Sequence, residues 1–119
     1  MSKIKILYVE DDKNTRTFME LFLKNVTSEL YISADGLDGL DKYKKYHPDI
    51  VISDISMPNM DGLTMARNIK KINKHQKIIL VSAHGKDDEF LDFSDLENIE
   101  ILSKPIDIEL LQKKIESFF

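Results

Sequence analysis

The sequence predicts an α/β domain built on a parallel sheet, and three observations predict it. Five short β-type runs recur along the chain, helix-type segments separate them, and most runs are apolar throughout instead of alternating. Continuous apolarity is what strands covered on both faces require. At 119 residues the chain fits one domain, residues 1–119, and is long enough to bury a core without staples.

The first run is Ile4 to Val9, and Phe18, Leu21 and Phe22 then recur at helical spacing. The second run is Leu30 to Ile32, followed by Leu37, Leu40 and Tyr43 in helical register. The third run is Ile50 to Ile52. Gly62 lets the chain turn into a helix marked by Leu63, Ala66 and Ile69. The fourth run is Ile78 to Val81, and the segment from Lys86 to Leu96 is a short, acid-dense helix candidate. The fifth run, Ile99 to Leu102, precedes one clean stripe of Ile108, Leu111, Ile115 and Phe118. Asp107 suits the cap of this last helix, and Lys113 and Lys114 sit where its dipole favours cations. By the same pattern Tyr8, Tyr31 and the phenylalanines read as core or near-core. Strands alternating with helices give a parallel sheet with five helices on its two faces.

Composition narrows the function. There is no cysteine, so disulfides and thiolate metal sites are excluded. The formal net charge of −4 argues against direct nucleic-acid binding, which wants a basic surface. No stretch approaches the roughly 20 apolar residues of a membrane helix. Met1-Ser2-Lys3 runs straight into a strand-like segment with no room for a signal peptide, so a cytoplasmic protein without membrane contact is expected.

In open parallel sheets ligands bind at the carboxyl ends of the strands. The residues there are Glu10, Asp11 and Asp12 after the first run, Asp54 after the third, Ser82 and Ala83 after the fourth, and Ser103, Lys104 and Pro105 after the fifth. Crowded carboxylates raise one another's pKa unless something compensates. A hard divalent cation such as Mg2+ is the natural compensation. A carboxylate can also attack phosphorus and form an aspartyl-phosphate. The cation, the Lys104 ammonium and the Ser82 hydroxyl would then surround a transferred phosphoryl group, which chiefly asks a protein for position and charge. Taken singly, Asp54 also reads as a strand-ending turn residue, and Glu10, Asp11 and Asp12 as a helix start. For Asp12 the helix start suffices. His47 and His75 read as surface residues, and Met57, Met60 and Asp61 as shapers of the loop after Asp54.

These segments carry a family resemblance. Ile6-Leu7-Tyr8-Val9-Glu10-Asp11-Asp12, then Pro48 through Asp54 into Met57-Pro58-Asn59-Met60-Asp61-Gly62, then Val81-Ser82-Ala83, and finally Ser103-Lys104-Pro105 resemble the receiver (response-regulator) domains of two-component signalling systems. The strand-end aspartate followed by Met-Pro-x-Met-Asp-Gly is the specific piece, and the set runs in order along the whole chain. The resemblance implies the flavodoxin-like sheet order 2-1-3-4-5. It implies Asp54 as phosphoacceptor, and Mg2+, or Mn2+ in its place, held by Asp11, Asp54 and the Ser56 carbonyl with Glu10 acting through water. It further implies phosphoryl contacts from Ser82, Ala83 and Lys104, a cis Lys104-Pro105 bond, and Ser82 as the switch hydroxyl. The implied partners are a histidine kinase or histidine phosphotransfer protein upstream, and a protein target or a fused output domain outside this chain downstream.

Two features depart from the pattern, and one position that varies in the family adds a candidate. Ile101 stands where the family often has an aromatic, so switching is expected to run through backbone and loop movement. Asp95-Leu96-Glu97-Asn98 replaces a usual Gly-Ala turn and makes that face acidic. His84, two residues after Ser82, is a candidate for tuning phosphoryl lifetime. On this reading the domain catalyses only its own phosphorylation and dephosphorylation. A phosphorylation-independent interaction module with the same fold is the alternative. A phosphatase using an aspartyl-phosphate would need a second carboxylate where Ser56 stands, and a substrate cap.

Overall fold

The computed structural model describes residues 4–83, 92 and 94–119. Its strands are β1 (Lys5–Val9), β2 (Glu29–Ser33), β3 (Ile50–Asp54), β4 (Lys77–Ser82) and β5 (Ile99–Ser103). They form one sheet in the order β2-β1-β3-β4-β5, all neighbours parallel. The helices are α1 (Lys13–Leu23), α2 (Gly36–Tyr46), α3 (Gly62–Ile72) and α4 (Ile108–Ser117). The expected five helices are thus four among the described residues. The helix anticipated over 86–96 lies mostly outside them, and its described part, Asp92 and residues 94–96, is turn and irregular chain. No helix among the described residues is long and apolar enough to cross a membrane.

Strand periodicity splits the core into two layers. On one face Ile6, Tyr8, Ile50, Ile52 and Ile79 pack against Met19 and Leu23 of α1 and Leu111 and Ile115 of α4. On the other, Leu7, Val9, Val51, Ile78 and Leu80 pack against Tyr43 of α2 and Met65, Ala66 and Ile69 of α3. The expected apolar stripe of α1 is offset. Met19, Phe22 and Leu23 meet the sheet, whereas Phe18 is 59% and Leu21 63% exposed. Phe18 follows no core phenylalanine pattern because the true stripe, one residue on, is set by Met19 and Leu23 at i, i+4 spacing. Phe119 is likewise exposed at 55%, its ring covered by the Lys77 ammonium.

All four helices among the described residues start at an aspartate cap, of which the sequence reading names Asp107 as a cap and Asp12 as a helix start. Asp12, Asp61 and Asp107 each accept a backbone N–H in the first turn of α1, α3 and α4, and Asp35 does the same for α2. At the opposite end of the sheet the buried Lys70 donates to the carbonyls of Lys74, Gln76 and Glu97, pinning the turns around β4 and β5. Burial pushes its pKa down, and the Glu97 charge partly restores it.

Candidate functional site: an acidic pocket at the carboxyl end of the sheet

β1 and β3 are neighbours, with Tyr8 opposite Ile52 and Val9 opposite Ser53. Continuing this register by one step brings the residue after β1, Glu10, beside the last residue of β3, Asp54. Glu10, Asp11 and Asp54 can each present a carboxylate oxygen such that all three lie within 4.8 Å of one another. Glu10 is 3% and Asp54 5% exposed, while Asp11 faces solvent. These residues floor an open cleft of about 970 Å³ whose rim includes Ser56, Ala83 and Lys104 and whose wall includes Phe18, Met19 and Ile106.

The Asp54 carboxylate is held at both oxygens. Oδ1 accepts the Ile55 N–H at 2.8 Å, and Oδ2 accepts the Lys104 ammonium at 2.9 Å. Lys104 reaches it because β5 ends beside β4, with the Lys104 N–H donating to the Ser82 carbonyl at 2.9 Å, and the Lys104–Pro105 peptide bond is cis. Burial pushes the Lys104 pKa down. The hydrogen bond and charge of Asp54, with the charges of Glu10 and Asp11, outweigh it and hold the ammonium above its usual range.

Glu10 carries the opposite imbalance. Burial, with the charge of Asp54 behind it, raises its pKa to about 7 against the Asp12 N–H that donates to it at 3.1 Å. Asp12 turns away to cap α1, accepting from the Thr15 N–H at 2.9 Å and the Thr15 hydroxyl at 2.6 Å, which hold its pKa below the usual carboxylate range. Three acids with one ammonium between them leave a net negative pocket. All-oxygen donors, partly desolvated and close together, are what a small hard divalent cation selects. Glu10, Asp11 and Asp54 fit such an ion.

The sequence-derived set is therefore largely assembled in one place: Glu10, Asp11, Asp54, Ser56, Ala83 and Lys104 share the cleft. Ser82 is buried at the end of β4, opposite Ser103. Ile101 lies elsewhere, buried opposite Leu80 in the α2/α3 core layer. His84 lies outside the described residues.

Four supporting roles escaped the sequence reading. Arg16 donates to the carbonyls of Glu10 at 2.8 Å and Asp11 at 3.2 Å, fixing the loop that carries both acids. Its one-turn offset from Asp12 was a legible signal. Asn59 donates to Asp35 at 2.9 Å, clamping the loop after Asp54 onto the start of α2. Gly62 lies against the site itself: a Cβ there would stand 2.1 Å from the Asp54 carbonyl oxygen. Tyr8 is the fourth. Its hydroxyl is buried and makes no hydrogen bond of normal geometry among the described residues, although the Glu10 carboxylate lies close enough to interact with it. Burial, then the charges of Glu10 and Asp54 and the interaction of the hydroxyl with the Glu10 side chain, push its pKa well up, so it keeps its proton.

Comparison with known proteins agrees with this geometry. Residues 6–116 match the family described as response regulator receiver domain. The chain is 27% identical over 118 residues to sporulation initiation phosphotransferase F of Bacillus subtilis, covering 99% of this chain and 95% of that one. It is 30% identical over 112 residues to the chemotaxis protein CheY of Bacillus subtilis, covering 93% of each. Against the response regulator ArlR of Staphylococcus saprophyticus identity is 33%, but the chain spans only 51% of that protein's length. Among solved structures, a chain of the CheX-CheY-BeF3-Mg complex from Borrelia burgdorferi superposes with a TM-score of 0.83 at 29% identity, over 98% of this chain and 89% of that one. The acidic pocket, the lysine at its aspartate and the whole-length family match together make this chain a member of the response regulator receiver family, a domain of phosphorylation-based two-component signalling.

Proposed function

We propose that Asp54 is the phosphoacceptor and that Mg2+ at Glu10, Asp11 and Asp54 assists its phosphorylation by a histidine kinase or histidine phosphotransfer protein. The observation that carries this reading is the convergence of three carboxylates within 4.8 Å, with the Lys104 ammonium 2.9 Å from the one that sits at a strand end. A carboxylate oxygen of Asp54 attacks phosphorus, the phosphorus–nitrogen bond of the phosphohistidine breaks, and the departing imidazole takes up a proton. The divalent ion, when bound, supplies positive charge to the phosphoryl oxygens and offsets the acids' repulsion. Lys104 supplies a second, fixed positive charge where charge accumulates. The Ile55 N–H orients the nucleophile, and the Arg16 and Asp61 contacts keep both loops from drifting.

The resulting aspartyl-phosphate places new negative charge beside Ser82 and Ala83 at the end of β4. Movement of that loop then changes the surface read by a downstream protein or fused output domain. Ile101 packs in the core without an aromatic swing to offer, so the response runs through backbone. The domain acts as one unit over residues 1–119 in the cytoplasm, and its chemistry is confined to gaining and losing its own phosphoryl group.

Calorimetric titration with Mg2+ tests the metal half of this reading. Wild type is expected to bind one ion and Asp11→Ala to lose most of the affinity. Equal binding by both would refute the assignment.

A further inference from the structure

Tyr8 is poorly explained as a core residue. Its ring is 1% exposed and packs in the α1/α4 core layer, but a phenylalanine would fill that space equally well. The hydroxyl instead is desolvated without a hydrogen bond of normal geometry among the described residues, with the Glu10 side chain near enough to interact, and such a group is costly unless some state of the protein satisfies it fully.

Strand geometry says which partner is in reach. Tyr8 and Glu10 are two residues apart on an extended segment, so their side chains leave the same face. Across the sheet Tyr8 pairs with Ile52, and Asp54 lies two residues beyond Ile52 on that face. Tyr8 is therefore one pleat below both acids, roughly 6.6 Å along the strand. A tyrosine leaning along its strand spans that distance with its hydroxyl. The nearby positive groups are committed elsewhere, Arg16 to backbone carbonyls and Lys104 to Asp54, and the Glu10 carboxylate, which accepts the Asp12 N–H, has room for a further donor.

We infer that the Tyr8 hydroxyl is a positioning group for the acidic pocket: it donates to the Glu10 carboxylate from beneath and fixes that side chain's orientation when a divalent cation is bound. It would do for a metal-site carboxylate what an outer hydrogen-bond partner does for metal ligands generally. The inference rests on the Mg2+ reading above.

Tyr8→Phe removes one oxygen and keeps the ring, so folding, checked by circular dichroism and thermal melting without metal, should be preserved. Mg2+ affinity by calorimetry should fall roughly tenfold. In a Glu10→Gln background the same substitution should have little further effect. Undiminished Mg2+ affinity in Tyr8→Phe, or full additivity with Glu10→Gln, would overturn the inference. Wild type that fails to bind Mg2+ at all would instead refute the metal reading itself. Should Tyr8→Phe not fold, the Tyr8 hydroxyl proton of the wild-type protein gives the answer by NMR. Exchange with solvent slowed by Mg2+ supports the proposed bond, and exchange unchanged by Mg2+ overturns it.

Discussion

Lys104 Nζ stands 2.9 Å from Oδ2 of Asp54, an ion pair joining the ends of β5 and β3, with Asp54 buried and Lys104 partly in solvent. The lysine therefore occupies space beside the proposed cation and competes with it for the same carboxylate. Lys104→Met should bind Mg2+ more tightly, by roughly five- to tenfold, about 1 kcal/mol of relieved repulsion. It should also be phosphorylated on the order of 100-fold more slowly for want of charge at the transferring group. Calorimetry and phosphorylation kinetics read these separately, and weaker Mg2+ binding would contradict the competition.

Glu10 gives the metal-free protein a particular pH dependence. Its folded pKa, about 7, lies above its unfolded value near 4.5, so the folded state holds the proton more tightly. Stability is then highest below the unfolded value and falls as pH rises through 7, by up to a few kcal/mol. Saturating Mg2+, which favours the ionised form, should flatten or reverse the slope. Urea unfolding from pH 5 to 8 with and without Mg2+ checks this. Glu10→Gln should abolish the slope without metal, and a metal-free stability that rises over that range would contradict the assignment.

Gly62 tests the loop after the acceptor. Its missing side chain lets the start of α3 approach the Asp54 carbonyl, and a Cβ would also stand 2.9 Å from the Ile55 Cα. Backbone cannot rotate aside as a side-chain tip can. Gly62→Ala should cost roughly 1–3 kcal/mol in urea unfolding and slow Asp54 phosphorylation. Wild-type stability in the variant would show the loop to be free to shift.

The strands and the acid set were legible because each depends on local pattern. Runs such as Ile50 to Ile52 need covering on both faces, and strand ends fall at one edge of a parallel sheet, so position placed Glu10, Asp11, Asp54 and Lys104 among the candidates and the family resemblance singled them out. What was not legible depends on rotation and reach. Phe18 and Met19 differ by about 100° on α1, and only packing decides which of them faces the sheet. Lys70 looks like an ordinary helix lysine, yet it ends buried among three carbonyls, two from the turn that follows its own helix and one, of Glu97, from far along the chain. Tyr8 sits in an apolar run and reads as core, while its hydroxyl lies below acids brought near by β3. Gly62 reads as a turn glycine, whereas its constraint comes from the Asp54 backbone.

The most direct test of the account is the intact mass of the protein after incubation with Mg2+ and a small phosphodonor, compared with Asp54→Ala. Wild type should gain the mass of one phosphoryl group, lose the gain when Mg2+ is chelated beforehand, and Asp54→Ala should gain none. Equal phosphorylation of wild type and Asp54→Ala would contradict the assignment of Asp54 as the acceptor.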